Sequence, residues 1–246
     1  NIQNNRGLTP IHLACLEGRQ KILDTLIELP YANFDLKDKV GRAAIHYACG
    51  LGNLEILKSL LKANADIKIK DDEGYEPVHR ACAGGHVSIV RRLVTQGANV
   101  NATMNDGGTM MHLAGRMGDL KMVNALITCG ANIHAVDNNG QAVIHLVCFN
   151  DSVPILSKLY IFDREIIHTK DNKQWTPSHY ACQNGCLDAL KKLHELGANV
   201  HAIDDDGLAP IHIASIYGHL RVLGQLIIFG AKINEKAKDG CTPIHY

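Results

Sequence analysis

Histidine recurs in this chain at a fixed interval, and that interval constrains the fold more than any other feature. His12, His46, His79, His112, His145, His179, His212 and His245 are separated by 34, 33, 33, 33, 34, 33 and 33 residues. Each closes a short segment of one pattern, from Thr9-Pro10-Ile11-His12 through Glu76-Pro77-Val78-His79 to Thr242-Pro243-Ile244-His245. Self-similarity at a period of roughly 20 to 50 residues marks a stack of small units, none able to bury its apolar face alone. Eight of the 14 histidines are therefore one residue copied eight times.

The rest of the unit repeats in phase. Five residues before each His stands Gly7, Gly41, Gly74, Gly107, Gly140, Gly207 or Gly240, with Gln174 the one departure. Two residues after it comes a small residue such as Ala14 or Ala81, with Val147 the exception. A second Gly follows at 18, 52, 85, 118, 185 and 218, replaced once by Asp151. Apolar residues then recur at helical spacing, as in Ile89, Val90, Leu93 and Val94, and a small pair such as Gly97-Ala98 closes the unit. Thr before Pro suits a helix start, because its hydroxyl caps a free backbone N–H and Pro fits the first turn. The Gly between the apolar runs allows the reversal, and Asp71-Asp72-Glu73-Gly74 reads as the tip of a β-hairpin-like loop. Each unit is a turn followed by two short antiparallel helices.

This pattern resembles the ankyrin repeat. The family signature Thr-Pro-Leu-His-x-Ala is matched by Thr9-Pro10-Ile11-His12-Leu13-Ala14 with one conservative change, at the family's period of about 33. The resemblance implies an all-α, ankyrin-repeat solenoid of stacked helix-turn-helix units with β-hairpin-like loops. One array is expected over 1–246, with repeats near 5–37, 38–70, 71–103, 104–136, 137–170, 171–203 and 204–236, and a partial eighth at 237–246. Asn1 falls in the tail of one unit and Tyr246 inside a first helix, which reads as an excerpt of a longer array. The fifth unit is the least regular: it carries Asp151, Pro154, an irregular loop at 162–169 and Gln174, and reads either as a joint or as a tolerated variant.

Composition removes several functions. Lys+Arg and Asp+Glu both number 25, so the formal charge is zero and a nucleic-acid partner is not expected. Apolar runs such as Leu226-Ile227-Ile228-Phe229 are too short for direct membrane insertion. The spacing His-x-x-Cys, as in His12/Cys15 and His179/Cys182, hints at metal. A structural zinc needs about four ligands, however, and each pair is one repeat from the next. In other units the Cys position holds Gly115 or Ser215, which reads as close helix packing, and the His reads as neutral and structural. No metal and no cofactor are expected. Gly50-Leu51-Gly52 lacks the third Gly of a dinucleotide loop, and no Ser lies in a nucleophile elbow, so no catalytic residue is assigned and the chain is not expected to be an enzyme. Eight thiols in repeat-helix positions suit a reducing compartment, the cytoplasm.

With the repeated positions explained by structure, function falls to positions that vary. The resemblance implies that hairpin tips and first helices line a concave groove where a protein partner binds. Most variable positions are polar or small there. The large ones are Leu16, Arg42, Tyr75, Arg116, Met117, Phe149, Trp175, Ile216 and Tyr217. Tyr, Trp and Arg are enriched at interface hot spots. The expected partner site is Tyr75, Arg116, Met117, Phe149, Trp175, Ile216 and Tyr217. The chain reads as a non-catalytic interaction scaffold. The alternative is a regulatory or structural domain of a larger host, such as an ion channel, a pore-forming toxin or a cytoskeletal assembly.

Overall fold

The computed structural model describes residues 1–246 and divides into two compact units, residues 1–114 with 121–132 and residues 115–120 with 133–246. In the first unit lie α1 (Pro10–Leu16), α2 (Gln20–Ile27), α3 (Ala44–Gly50), α4 (Leu54–Lys62), α5 (Pro77–Ala83) and α6 (Val87–Thr95). Next come α7 (Met110–Met117), divided between the units, and α8 (Leu120–Thr128), mostly in the first. The second unit holds α9 (Val143–Val147), α10 (Val153–Phe162), α11 (Pro177–Gln183), α12 (Leu187–Glu195), α13 (Pro210–Ile216) and α14 (Leu220–Ile228). Short 3-10 turns cover Arg164–His168 and Pro243–His245. The loops are hairpin-like without forming a sheet: one antiparallel bridge, Val136 to Ala142, is the full extent of strand pairing.

Odd helices pack on odd helices and even on even, α1 on α3 on α5 in one unit and α11 on α13 with α12 on α14 in the other. The even helices other than α10 are amphipathic. In α4, Ile56, Leu57 and Leu60 are buried while Glu55 and Lys58 face outward. Burying each such side chain contributes roughly 1.5–3 kcal/mol, which an isolated nine-residue helix has no means to collect.

The repeated histidine ties the start of its helix to a loop carbonyl further along the chain. The Thr9 N–H donates to Nδ1 of His12 at 3.1 Å, and the His12 N–H donates back to the Thr9 hydroxyl at 3.3 Å. With Nδ1 accepting, Nε2 carries the proton and donates to a carbonyl in the next hairpin, as for His12, His46 and His179, or at the end of its own repeat, as for His79, His145 and His212. His12 reaches the Arg42 carbonyl at 2.9 Å, His46 that of Tyr75 at 2.9 Å, and His79 that of Ala102 at 2.9 Å. In the second unit His145 reaches Thr169 at 3.0 Å, His179 reaches Leu208 at 3.1 Å and His212 reaches Glu235 at 3.0 Å. The N–H contact to Nδ1 persists where the cap residue is Ala43, Glu76 or Ala142, so it does not need the Thr hydroxyl. Burial lowers the pKa of His12, His46, His79 and His145, and that of His179 to about 4. These rings are neutral, with both nitrogens committed, and offer a metal no lone pair.

The departures from the repeat acquire physical content. Asp151 and Gln174 occupy the left-handed backbone of the glycines they replace, at φ 53° and 63°. A non-Gly residue there is strained. At Asp151 the side chain offsets the strain: its carboxylate accepts from the Asp188 and Ala189 N–H groups at 3.3 and 2.5 Å, capping the start of α12. The segment read as an irregular loop at 162–169 contains the 3-10 turn, which drives Ile166 and Ile167 into the core at 1% and 2% exposure. An apolar pair inside a polar stretch is the reason it orders.

Candidate functional site

The hairpin tips are shaped by an aspartate eight residues before the repeat His. One carboxylate oxygen of Asp71 accepts from the Glu73 and Tyr75 N–H groups at 3.1 and 2.9 Å. Asp171 does the same for Lys173 and Trp175, both at 2.8 Å, and Asp204 for Asp206 and Leu208 at 2.9 and 2.8 Å. This Asx turn pre-forms the tip and leaves the second oxygen facing the first helix. What meets that oxygen differs from tip to tip.

In the first unit it meets the Tyr47 hydroxyl at Asp38 and charge at Asp71. Asp71 is bonded by the Arg80 guanidinium, which also reaches Glu73 at 2.5 Å, while Arg42 Nε stands 3.7 Å from Asp71. Arg80 lies over the Tyr75 ring, 4.0 Å from its centroid.

In the second unit the oxygen meets aromatic side chains. The Tyr180 hydroxyl donates to Asp171 at 2.6 Å and accepts from the Gln141 side chain at 2.8 Å. Trp175 Nε1 donates to Asp204 at 2.8 Å. The Trp175 ring stands edge-on to Tyr180 at 5.3 Å and stacks on His179 at 5.7 Å, with Phe149 at 6.1 Å from Tyr180. Tyr217 accepts from the Gln183 side chain at 3.0 Å. Phe149, Trp175, Tyr180 and Tyr217 wall a depression of about 660 Å³, rimmed by Asn139, Asn172, Lys173 and Asn184. Burial first, then the bond to Asp171, raises the Tyr180 pKa, so the hydroxyl stays a donor throughout the physiological range.

Phe149, Trp175 and Tyr217, all expected at the partner site, share this depression, and Ile216 is exposed beside Tyr217. Arg116 and Met117 are exposed at the end of α7, outside the depression, with the Arg116 carbonyl accepting from Asn150 at 2.8 Å. Tyr75 belongs to the first unit, half-buried under Arg80. Leu16 is half-buried at the end of α1. Sequence reasoning missed Tyr180 and Asp171. The signal existed: Asp38, Asp71, Asp137, Asp171 and Asp204 recur in phase, and Tyr47, Arg80 and Tyr180 share the position after the His.

The five buried thiols of the repeat fill packing positions, Cys49, Cys148 and Cys182 being fully enclosed. Burial pushes the Cys15 pKa to about 12 and that of Cys186 to about 11, which keeps them protonated and poorly nucleophilic. No helix is long and apolar enough to cross a membrane.

Models of the ankyrin repeat match nearly the whole chain: ankyrin repeats in three copies at residues 1–71, 52–137 and 115–204, and a single ankyrin repeat at 206–238. The chain belongs to the ankyrin-repeat family, a fold that is generally a non-enzymatic protein-interaction module. Among curated proteins it is similar to the human protein phosphatase 1 regulatory subunit 27, 46% identical over 41 residues, 17% of this chain and 27% of that protein. It is also similar to the E3 ubiquitin-protein ligase KEG of Arabidopsis thaliana, 32% identical over 66 residues, 27% of this chain and 4% of that protein. A third relative is the SMC5-SMC6 complex localization factor protein 1 of Mus musculus, 32% identical over 59 residues, 24% of this chain and 6% of that protein. The matched segments thus span between 4% and 27% of these relatives.

Proposed function

We propose that this chain is a non-catalytic scaffold that binds a protein partner through the tip-and-first-helix face of its second unit. The observation that carries the reading is the aromatic depression, whose walls are held by hydrogen bonds before any partner arrives. Trp175 is fixed to Asp204, Tyr180 to Asp171 and Gln141, and Tyr217 to Gln183. Fixed rings lose little rotamer entropy on binding, so more of the contact energy appears as affinity. Phe149, Ile216 and Tyr217 remain 42%, 42% and 49% exposed, apolar area a partner would bury. Arg116 and Met117, of the same unit, complete the proposed contact set, and Tyr75, covered by Arg80 in the first unit, is not part of it.

The relatives favour a setting in which this array is the regulatory or structural part of a larger host, since each is much longer than the segment it shares. Cysteines used as small core residues support a reducing compartment such as the cytoplasm. The test is capture of partners by immobilised chain, with Phe149→Ala/Tyr217→Ala as the control surface. The reading expects one or more proteins to be retained by the native chain and lost by the double variant at equal folded concentration. Equal retention by both would remove this face as the binding site.

A further inference from the structure

Two repeats, one in each unit, solve one local problem in two ways, and the Asp71 repeat shows what the Asp171 repeat lacks. In the repeat centred on His79, Asp71, Tyr75 and Arg80 stand eight before, four before and one after the His. The corresponding residues around His179 are Asp171, Trp175 and Tyr180. In the first set a guanidinium lies over an aromatic ring at 4.0 Å and donates through Nε to the tip carboxylate at 2.9 Å. In the second set the ring is larger and the carboxylate is kept, but the guanidinium is replaced by a phenol.

The exchange leaves charge unbalanced. Asp171 is 6% exposed, and the groups that bond it, the Lys173 and Trp175 N–H groups and the Tyr180 hydroxyl, are all neutral. Asp204, 7% exposed, is held by two backbone N–H groups and the Trp175 indole. Asp137 bonds the Asn139 and Gln141 N–H groups at 2.8 and 2.9 Å. Neutral donors hold a carboxylate in place without cancelling its charge. Lys173 is the one cation lining the depression, and it is exposed at the tip, where solvent screens it more than the enclosed carboxylates. Aromatic faces over enclosed negative charge attract a weakly hydrated planar cation.

We propose that the depression of the second unit takes an arginine side chain of the partner, its guanidinium against the Trp175, Phe149 and Tyr217 rings and within the field of Asp171 and Asp204. The inference rests on the reading of this depression as the partner site and adds the chemistry of the residue that fills it. A volume of about 660 Å³ accommodates one such side chain with its flanking backbone.

Trp175 is the single tryptophan of the chain, so its fluorescence reports occupancy directly. A random-peptide display library would be selected on the immobilised chain and counter-selected on Phe149→Ala/Tyr217→Ala. Selected peptides would then be titrated by Trp175 fluorescence as arginine, citrulline and glutamate forms. The expected result is a recurrent arginine, with citrulline weakening binding at least tenfold and glutamate abolishing it. Citrulline keeps the shape but loses the charge and two of the five N–H donors. Selected peptides that lack arginine, or citrulline forms that bind within twofold, would overturn the arginine assignment while leaving the face as a peptide site. Failure to recover any peptide that the double variant loses would overturn both.

Discussion

The tip aspartate is closed by charge at Asp71 of the first unit and by aromatic rings at Asp171 of the second. Around Asp71 the chain supplies its own cations, Arg80 and Arg42, and Glu73 completes a network that leaves little for a partner to add. Around Asp171 it supplies Tyr180 and Trp175, and the result is an open aromatic depression. The scaffold beneath is the same in both: the His ring accepts a backbone N–H and donates to the next hairpin carbonyl, whether His46 to Tyr75 or His179 to Leu208. The proposed function places stability in the repeated positions and recognition in the varied ones, and substitutions can separate the two.

The largest effect is expected where the units agree. His46→Ala and His179→Ala each remove a buried ring and orphan a backbone N–H and a carbonyl, which should cost about 2–4 kcal/mol apiece by urea denaturation. A cost below about 1 kcal/mol in one unit alone would break the claim of a common scaffold. Acid should show the same equality. His46, His79, His145 and His179 have folded pKa values below the ordinary 6.5, so the unfolded chain binds more protons as pH falls. Their contribution is present above about pH 6.5 and is lost toward the His179 value of about 4. Circular dichroism across that window should show stability falling with pH, and a flat profile would contradict the neutral tautomer.

The next effect separates the units. Arg80→Ala strips the enclosed Asp71 of its guanidinium and should cost roughly 1–3 kcal/mol of stability with partner affinity unchanged. Tyr217→Ala should do the reverse, weakening the captured partner tenfold or more while stability moves by less than about 1 kcal/mol. A binding loss in Arg80→Ala comparable to that in Tyr217→Ala would merge the two faces.

Smaller effects sharpen the picture of strain. Glu76 sits where other repeats place Thr, is 8% exposed, and has one carboxylate oxygen without a partner. Burial raises its pKa despite the nearby Lys70 and Lys68. A raised folded pKa means its contribution is favourable at low pH and is lost as pH rises, so Glu76→Thr should raise Tm more at pH 7 than at pH 4. Gln174→Gly relieves a left-handed backbone at φ 63° and should stabilise by about 0.5–1 kcal/mol. Asp151→Gly should gain less, because it also removes the cap of α12.

Much of the fold is legible in the sequence. The His register, the glycine series and the Thr-Pro starts encode local geometry, and local geometry repeats wherever its residues do. Gln174 and Asp151 stood out in sequence as breaks in a glycine series, and they are two of the four non-Gly residues with positive φ, alongside Tyr31 and Asn64. The site was legible in part. Phe149, Trp175 and Tyr217 stood out as large residues at variable positions, and the depression unites them. Tyr180 was hidden because a buried aromatic after the His reads as core, and only the hairpin's placement brings its hydroxyl to Asp171. Arg116 and Met117 share the large size and variable positions of these residues and are exposed, but they do not line the depression.

The most direct test of the division between scaffold and face is amide hydrogen exchange of the chain with and without its captured partner. Recognition in the second unit predicts new protection at the 171–175 tip and around residues 183–184 and 217, with the 71–80 segment of the first unit unchanged. Protection concentrated at 71–80, with the aromatic depression exchanging as in the free chain, would contradict it.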